Sequence, residues 1–73
     1  MVNSIVNSRT VLLYRDEDGY FIAEVPSLPG CISQGENRTD ALNNIKEAID
    51  LHIEVLRDRG EPIPPDTIEV VRV

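Results

Sequence analysis

Arg9-Thr10-Val11-Leu12-Leu13-Tyr14-Arg15-Asp16-Glu17-Asp18-Gly19-Tyr20-Phe21-Ile22-Ala23-Glu24-Val25 reads as two β-rich runs joined by a turn, and the rest of the fold is built outward from it. Branched and aromatic residues favour a pleated, half-buried surface, while the Asp-Glu-Asp-Gly run supplies turn chemistry. The segment is therefore a β-hairpin. Successive strand side chains point to opposite faces, so Phe21, Ala23 and Val25 share one wholly apolar face and are expected in the core. Tyr20, Ile22 and Glu24 share the other face. The first strand is apolar on both sides, with Val11 and Leu13 on one and Leu12 and Tyr14 on the other.

Downstream, Pro29-Gly30 suits positions i+1 and i+2 of a type II turn, where the proline ring sets φ and the next residue needs a positive φ. A short third strand is expected over residues 31–34, ended by Gly35. Asn37 is placed to cap a helix, with Asp40 three residues on in a capping-box-like arrangement. Leu42, Ile45, Ala48, Ile49, His52, Ile53 and Leu56 recur every three or four residues and form one stripe facing a sheet. Leu51 and Val55 lie beside that stripe, where they are candidates for contact with a partner. Arg57 and Arg59 suit the negative end of the helix dipole, and Gly60 is the expected C′ residue. The prolines at 62, 64 and 65 force an extended connector, and residues 67–73 have strand composition.

The element order is thus β-β-β-α-β: an α+β fold with one mixed, four-stranded sheet and a single helix on one face. The last strand is expected parallel to one of the others, through a right-handed crossover. Residues 1–73 read as one domain, with residues 1–8 a loose leader.

Composition narrows the function. A 73-residue chain buries only about 60% of the surface that its unfolded form exposes, so it needs a staple or a partner. One cysteine, Cys31, allows no disulfide within the chain, and one Cys with one His, His52, falls short of a zinc site. Self-association, through the sheet face without a helix or through a strand edge, is the stabiliser left, and Leu12, Tyr14, Tyr20 and Ile22 are the residues expected to carry it. No secretory signal and no spanning apolar run are seen, which places the chain in the cytoplasm, away from any membrane. Thirteen acidic against seven basic residues give a net charge of −6, which opposes nucleic acid and favours a basic protein partner.

Two chemical constellations are weak. Asp16, Glu17 and Asp18 crowd one turn, but a calcium loop needs ligands alternating around a glycine and a distal Glu, and a two-metal nuclease gathers carboxylates from separate elements. They read as a solvated turn, with no metal and no cofactor. Cys31 and His52 have no evident orienting carboxylate, so the thiol reads as a small hydrophobe and the imidazole as part of the helix stripe.

The run Asp18-Gly19-Tyr20-Phe21-Ile22-Ala23-Glu24-Val25-Pro26-Ser27-Leu28-Pro29-Gly30-Cys31-Ile32-Ser33-Gln34-Gly35, followed by Ala41-Leu42-Asn43-Asn44-Ile45-Lys46-Glu47-Ala48-Ile49, resembles the HicB-type antitoxins and their single-domain relatives. The resemblance covers nearly the whole chain from Arg9. It implies a truncated ribonuclease-H-like fold serving as a scaffold that inhibits a small basic ribonuclease toxin of the HicA type. Many members continue into a ribbon-helix-helix or helix-turn-helix domain that binds DNA; nothing follows Val73 here, so DNA binding by this chain is not expected.

Residues 16–40 hold six carboxylates and one Arg, a local charge of −5. Within them Asp16, Glu17, Asp18, Glu24 and Glu36 are the residues expected to face the toxin, occluding its RNA-binding surface. The chain is expected to be an inhibitor, homodimeric or larger, without catalysis of its own. A metal-dependent nuclease, a small hydrolase, or a stand-alone oligomeric module without a toxin are the alternatives.

Overall fold

A computed structural model describes residues 8–73, so the leader expected over residues 1–8 lies, apart from Ser8, outside the described residues. Three strands, β1 (Leu12–Arg15), β2 (Phe21–Glu24) and β3 (Ile32–Gly35), form one antiparallel sheet in the order β1-β2-β3, followed by α1 (Arg38–Asp58).

The turns carry the register. Gly19 N–H donates to Asp16 C=O at 3.1 Å, closing the first hairpin, and Leu13 lies opposite Ala23 while Arg15 lies opposite Phe21. In the second connection Cys31 N–H donates to Leu28 C=O at 2.9 Å, and Gly30 has φ of +85°, which is the type II turn expected of Pro29-Gly30. That turn also folds Leu28 inward, where it is fully buried.

Asn37 caps α1 by accepting from Asp40 N–H at 2.8 Å, and its side-chain amide donates to the Asp40 carboxylate at 3.2 Å, so the return bond of the capping-box-like pair comes from the side chain and not from the Asn37 backbone. At the other end Gly60 N–H donates to Arg57 C=O and Glu61 N–H to Leu56 C=O, a Schellman closure that ends the helix where the sequence expects it. The helix is about 31 Å long at 1.5 Å per residue.

Ala41, Ile45, Ile49 and Ile53 form the buried line of the helix, one residue per turn, flanked by half-buried Leu42, Ala48 and Leu56. They pack on Ala23, Val25, Leu28 and Cys31, with Phe21, Val11 and Leu13 at the margin. Apolar burial of this kind contributes roughly 25 cal/mol per Å² and is the main term holding so small a domain together. Gly35 sets how closely α1 begins against β3. A Cβ there would collide with the backbone of Asp40 and Ala41, with the Asp40 carbonyl carbon only 2.8 Å away.

One expectation fails. Residues 67–73 form no strand, so the sheet has three antiparallel strands rather than four mixed ones. The reason is that β propensity needs a neighbouring edge to become a strand. The connector is held at Asp66, and beyond it Val70, Val71 and Val73 are exposed and pair with no strand among the described residues.

Candidate functional site

The register brings the acidic residues together. Arg15 pairs with Phe21 and Phe21 with Gly35, so the β1–β2 turn, the end of β3 and the start of α1 lie at one end of the sheet. Asp16, Glu17 and Asp18 in the turn, Glu36 after β3 and Asp40 in the first helical turn therefore share that end, all exposed. Arg15 turns aside from them, its guanidinium lying 4.9 Å from the centroid of the Phe21 ring.

Not every carboxylate there is free. Asp16 accepts from Asp18 N–H at 3.0 Å and from Tyr20 N–H at 2.9 Å, so its side chain organises the turn. Glu17 and Asp18 are left as the presented charges. Among the described residues no three His, Cys, Asp or Glu side chains gather into a set able to hold a metal ion.

Glu24 does not join the acidic end. It sits at the opposite end of β2, on the face away from the helix, where its carboxylate accepts from the Tyr14 hydroxyl at 3.1 Å. Partial desolvation, then the hydrogen bond to Glu24, then the Glu24 charge hold the Tyr14 hydroxyl above its ordinary pKa. That face carries Leu12, Tyr14, Ile22 and Ile32 by strand alternation, with Tyr20 at its margin. Leu12, Tyr14, Tyr20 and Ile32 are exposed and Ile22 is half-buried, so the residues expected to self-associate form one surface, and Ile32 extends it.

A third cluster has no local sequence signal. The Asp66 carboxylate accepts from Thr10 Oγ1 at 2.8 Å, Thr10 N–H at 3.0 Å and Ser27 Oγ at 2.8 Å, while Arg9 reaches Ser27 and the carbonyl of Pro64. The Thr10 hydroxyl above all, then the Thr10 amide, Ser27 and the Arg9 charge, hold Asp66 below the usual carboxylate range against the opposing effect of burial. This knot ties the connector to the end of the sheet opposite the acidic one. Only the partners, separated by 39 and 56 positions from Asp66, could have revealed it.

Cys31 is buried in the core, and burial pushes its thiol up, with the Arg9 charge opposing. The thiol is thereby kept protonated, which suits packing and not nucleophilic chemistry. His52 is half-buried on α1, at the edge of the stripe, while Leu51 and Val55 are exposed. Among the described residues no helix is long and apolar enough to cross a membrane.

Comparison with known proteins bears on these surfaces. The family model described as HicB-like antitoxin of bacterial toxin-antitoxin system matches residues 10–72. A UPF0150 protein of Thermoplasma acidophilum is 50% identical over 64 residues, covering 88% of this chain and 93% of its own. A UPF0150 protein of Archaeoglobus fulgidus is 40% identical over 62 residues, covering 82% and 90%. One from Synechocystis is 44% identical over 61 residues, covering 84% and 77%. No solved structure matches the chain.

Proposed function

Because the chain belongs to the HicB-like antitoxin family of bacterial toxin-antitoxin systems, we propose that its acidic end docks on a small basic ribonuclease toxin of the HicA type and occludes the surface with which that toxin binds RNA. The observation that carries this reading is the gathering of Glu17, Asp18, Glu36 and Asp40, from separate elements, at one exposed end of the sheet. Phosphate-binding groups of a ribonuclease are cationic, so a clustered set of carboxylates both attracts them and competes with RNA for them. Asp16 supports that surface by holding the turn that presents Glu17 and Asp18. Glu24 contributes on the other face, beside Tyr14.

In this reading residues 1–73 act as one binding unit, in the cytoplasm, with no chemistry, metal or cofactor of their own and no binding of DNA. The exposed face of Leu12, Tyr14, Tyr20, Ile22 and Ile32 serves a weaker self-association, of dimers into larger assemblies, since burying it removes apolar surface that an 8.2 kDa chain leaves in water.

The test is reconstitution with the basic chain encoded beside this one. RNA cleavage by that chain should stop at stoichiometric addition of this protein and recover as salt is raised. Cleavage of RNA by this protein alone, dependent on a divalent metal and lost on substitution of Asp16, Glu17 and Asp18, would replace the inhibitor reading with a nuclease one.

A further inference from the structure

The free edge of β1 and the unpaired tail after Asp66 are complementary, and we propose that they meet between two copies of the chain: residues 67–73 of one molecule add as a fourth strand beside β1 of the other, and the exchange is mutual. Four observations carry this.

First, among the described residues β1 pairs with β2 alone, so its second edge presents unpaired N–H and C=O groups. Second, α1 lies over β2 and β3 and makes no close backbone approach to β1. The space so left is an open groove of about 720 Å³, lined by Val11 from the chain entering β1 and by Leu42, Ile45 and Ile49 from the helix. Its apolar side chains stand beside the chain that enters β1, with Thr39, Asn43, Lys46 and Asp50 along its rim.

Third, the tail has the matching chemistry. Thr67-Ile68-Glu69-Val70-Val71-Arg72-Val73 contains five β-branched residues, and Val70 and Val71 are 70% and 64% exposed. Fully extended, its seven residues span about 23 Å at 3.3 Å each, more than enough to run the length of β1. Arg9, Lys46 and Asp50 stand at the groove and the arm carries Glu69 and Arg72, so both signs of charge are present on each side. Added-strand recognition of this kind takes affinity from main-chain hydrogen bonds and register from alternate side chains.

The fourth observation selects a second copy over the chain's own tail. Asp66 is pinned to Thr10, beside the start of β1, so the tail begins within reach of its own groove. It nevertheless leaves: no residue after Asp66 lines the groove, and the tail stands exposed. Pro64 and Pro65 fix φ before the pin and three hydrogen bonds hold the Asp66 carboxylate itself, so the exposed tail starts from a fixed point on the body. An exposed arm and a site left open by the described residues, both repeated on every copy, close as a two-fold exchange. This contact is distinct from the exposed face of Leu12 and Tyr14 and does not depend on a toxin.

The experiment is sedimentation equilibrium of the full chain at tens of micromolar, with hydrogen exchange of the tail amides in the same sample. The expected mass is twice 8.2 kDa. The amides of residues 67–73 should be protected, and the chain ending at Asp66 should fall to the monomer mass. A cross-linking arm identifies the partner edge. In a Cys31→Ser background, a chain with Val11→Cys mixed with a longer, tagged chain with Val70→Cys should give a mixed covalent dimer on oxidation. A monomer overturns the proposal whether or not its tail is protected, since protection would then mean closure on its own groove. A dimer that survives loss of residues 67–73 overturns it also, and assigns association to the open sheet face. Should the shortened chain fail to fold, mass, exchange and cross-link on the longer chains still decide.

Discussion

The two ends of the sheet use the same functional group in opposite ways. At the end formed by the β1–β2 turn and the start of α1, Glu17, Asp18 and Glu36 stand exposed with no hydrogen-bond partner among the described side chains. At the other, a single carboxylate, Asp66, has both oxygens occupied by Thr10 and Ser27. The difference teaches that carboxylate count says little until hydrogen-bond saturation is known. A saturated carboxylate is spent on structure, whereas an unsaturated one keeps its charge available for a partner.

The largest expected effect lies at the acidic end but concerns no charge. Gly35→Ala forces a methyl group into the backbone of Asp40 and Ala41, so either α1 lifts or β3 bends. A loss of about 3 kcal/mol is expected, read as a fall of more than 10 °C in Tm for a domain of this size. An unchanged Tm would mean that α1 starts farther from β3 and that the acidic residues are less closely gathered. Gly30→Val is the counterpart at the saturated end. A β-branched residue at φ of +85° should cost about 2 kcal/mol and loosen the turn following Ser27.

Asp66→Asn sharpens the comparison through pH. The folded-state pKa of Asp66 is depressed, so its contribution is present above the unfolded pKa, near 4, and is lost as pH falls through the lower folded value. The variant should therefore melt several degrees below the parent at pH 7, and the gap should close as pH falls below about 4. A gap independent of pH would show that Asp66 acts by shape alone. Smaller still, Asp16→Ala should lower Tm by a few degrees by releasing the Asp18 and Tyr20 amides, whereas Glu17→Lys with Asp18→Lys should leave stability within about 0.5 kcal/mol of the parent. Equal losses from the two would erase the distinction between the organising and the presented carboxylates.

Much of this was legible locally. Pro29-Gly30, Asn37 with Asp40, and Gly60 after Arg59 are signals confined to a few neighbours, and each stands where the sequence places it. Alternation likewise separates Ala23 and Val25 from Tyr14 and Ile22. The acidic run at residues 16–18 is visible in the sequence, but its joining with Glu36 and Asp40, and the departure of Glu24 to the other face, follow from pairing register. What stays hidden depends on distant partners. Asp66 looks like any connector residue until Thr10 and Ser27 come beside it, and Gly35 looks like a strand end until α1 closes over it. Residues 67–73 have strand composition, but composition does not name the edge on which a strand would form.

The most direct test of the central claim is the rate at which the cognate basic ribonuclease associates with the parent and with the Glu17→Lys, Asp18→Lys double variant, followed by stopped flow as a function of salt. With Asp16 left in place to hold the turn, the variant should associate about tenfold more slowly at low ionic strength. The two rates should converge toward 1 M salt, where the Debye length has contracted to about 3 Å. Equal rates at low salt would contradict the account, because the exposed charges at the acidic end would then play no part in meeting the toxin.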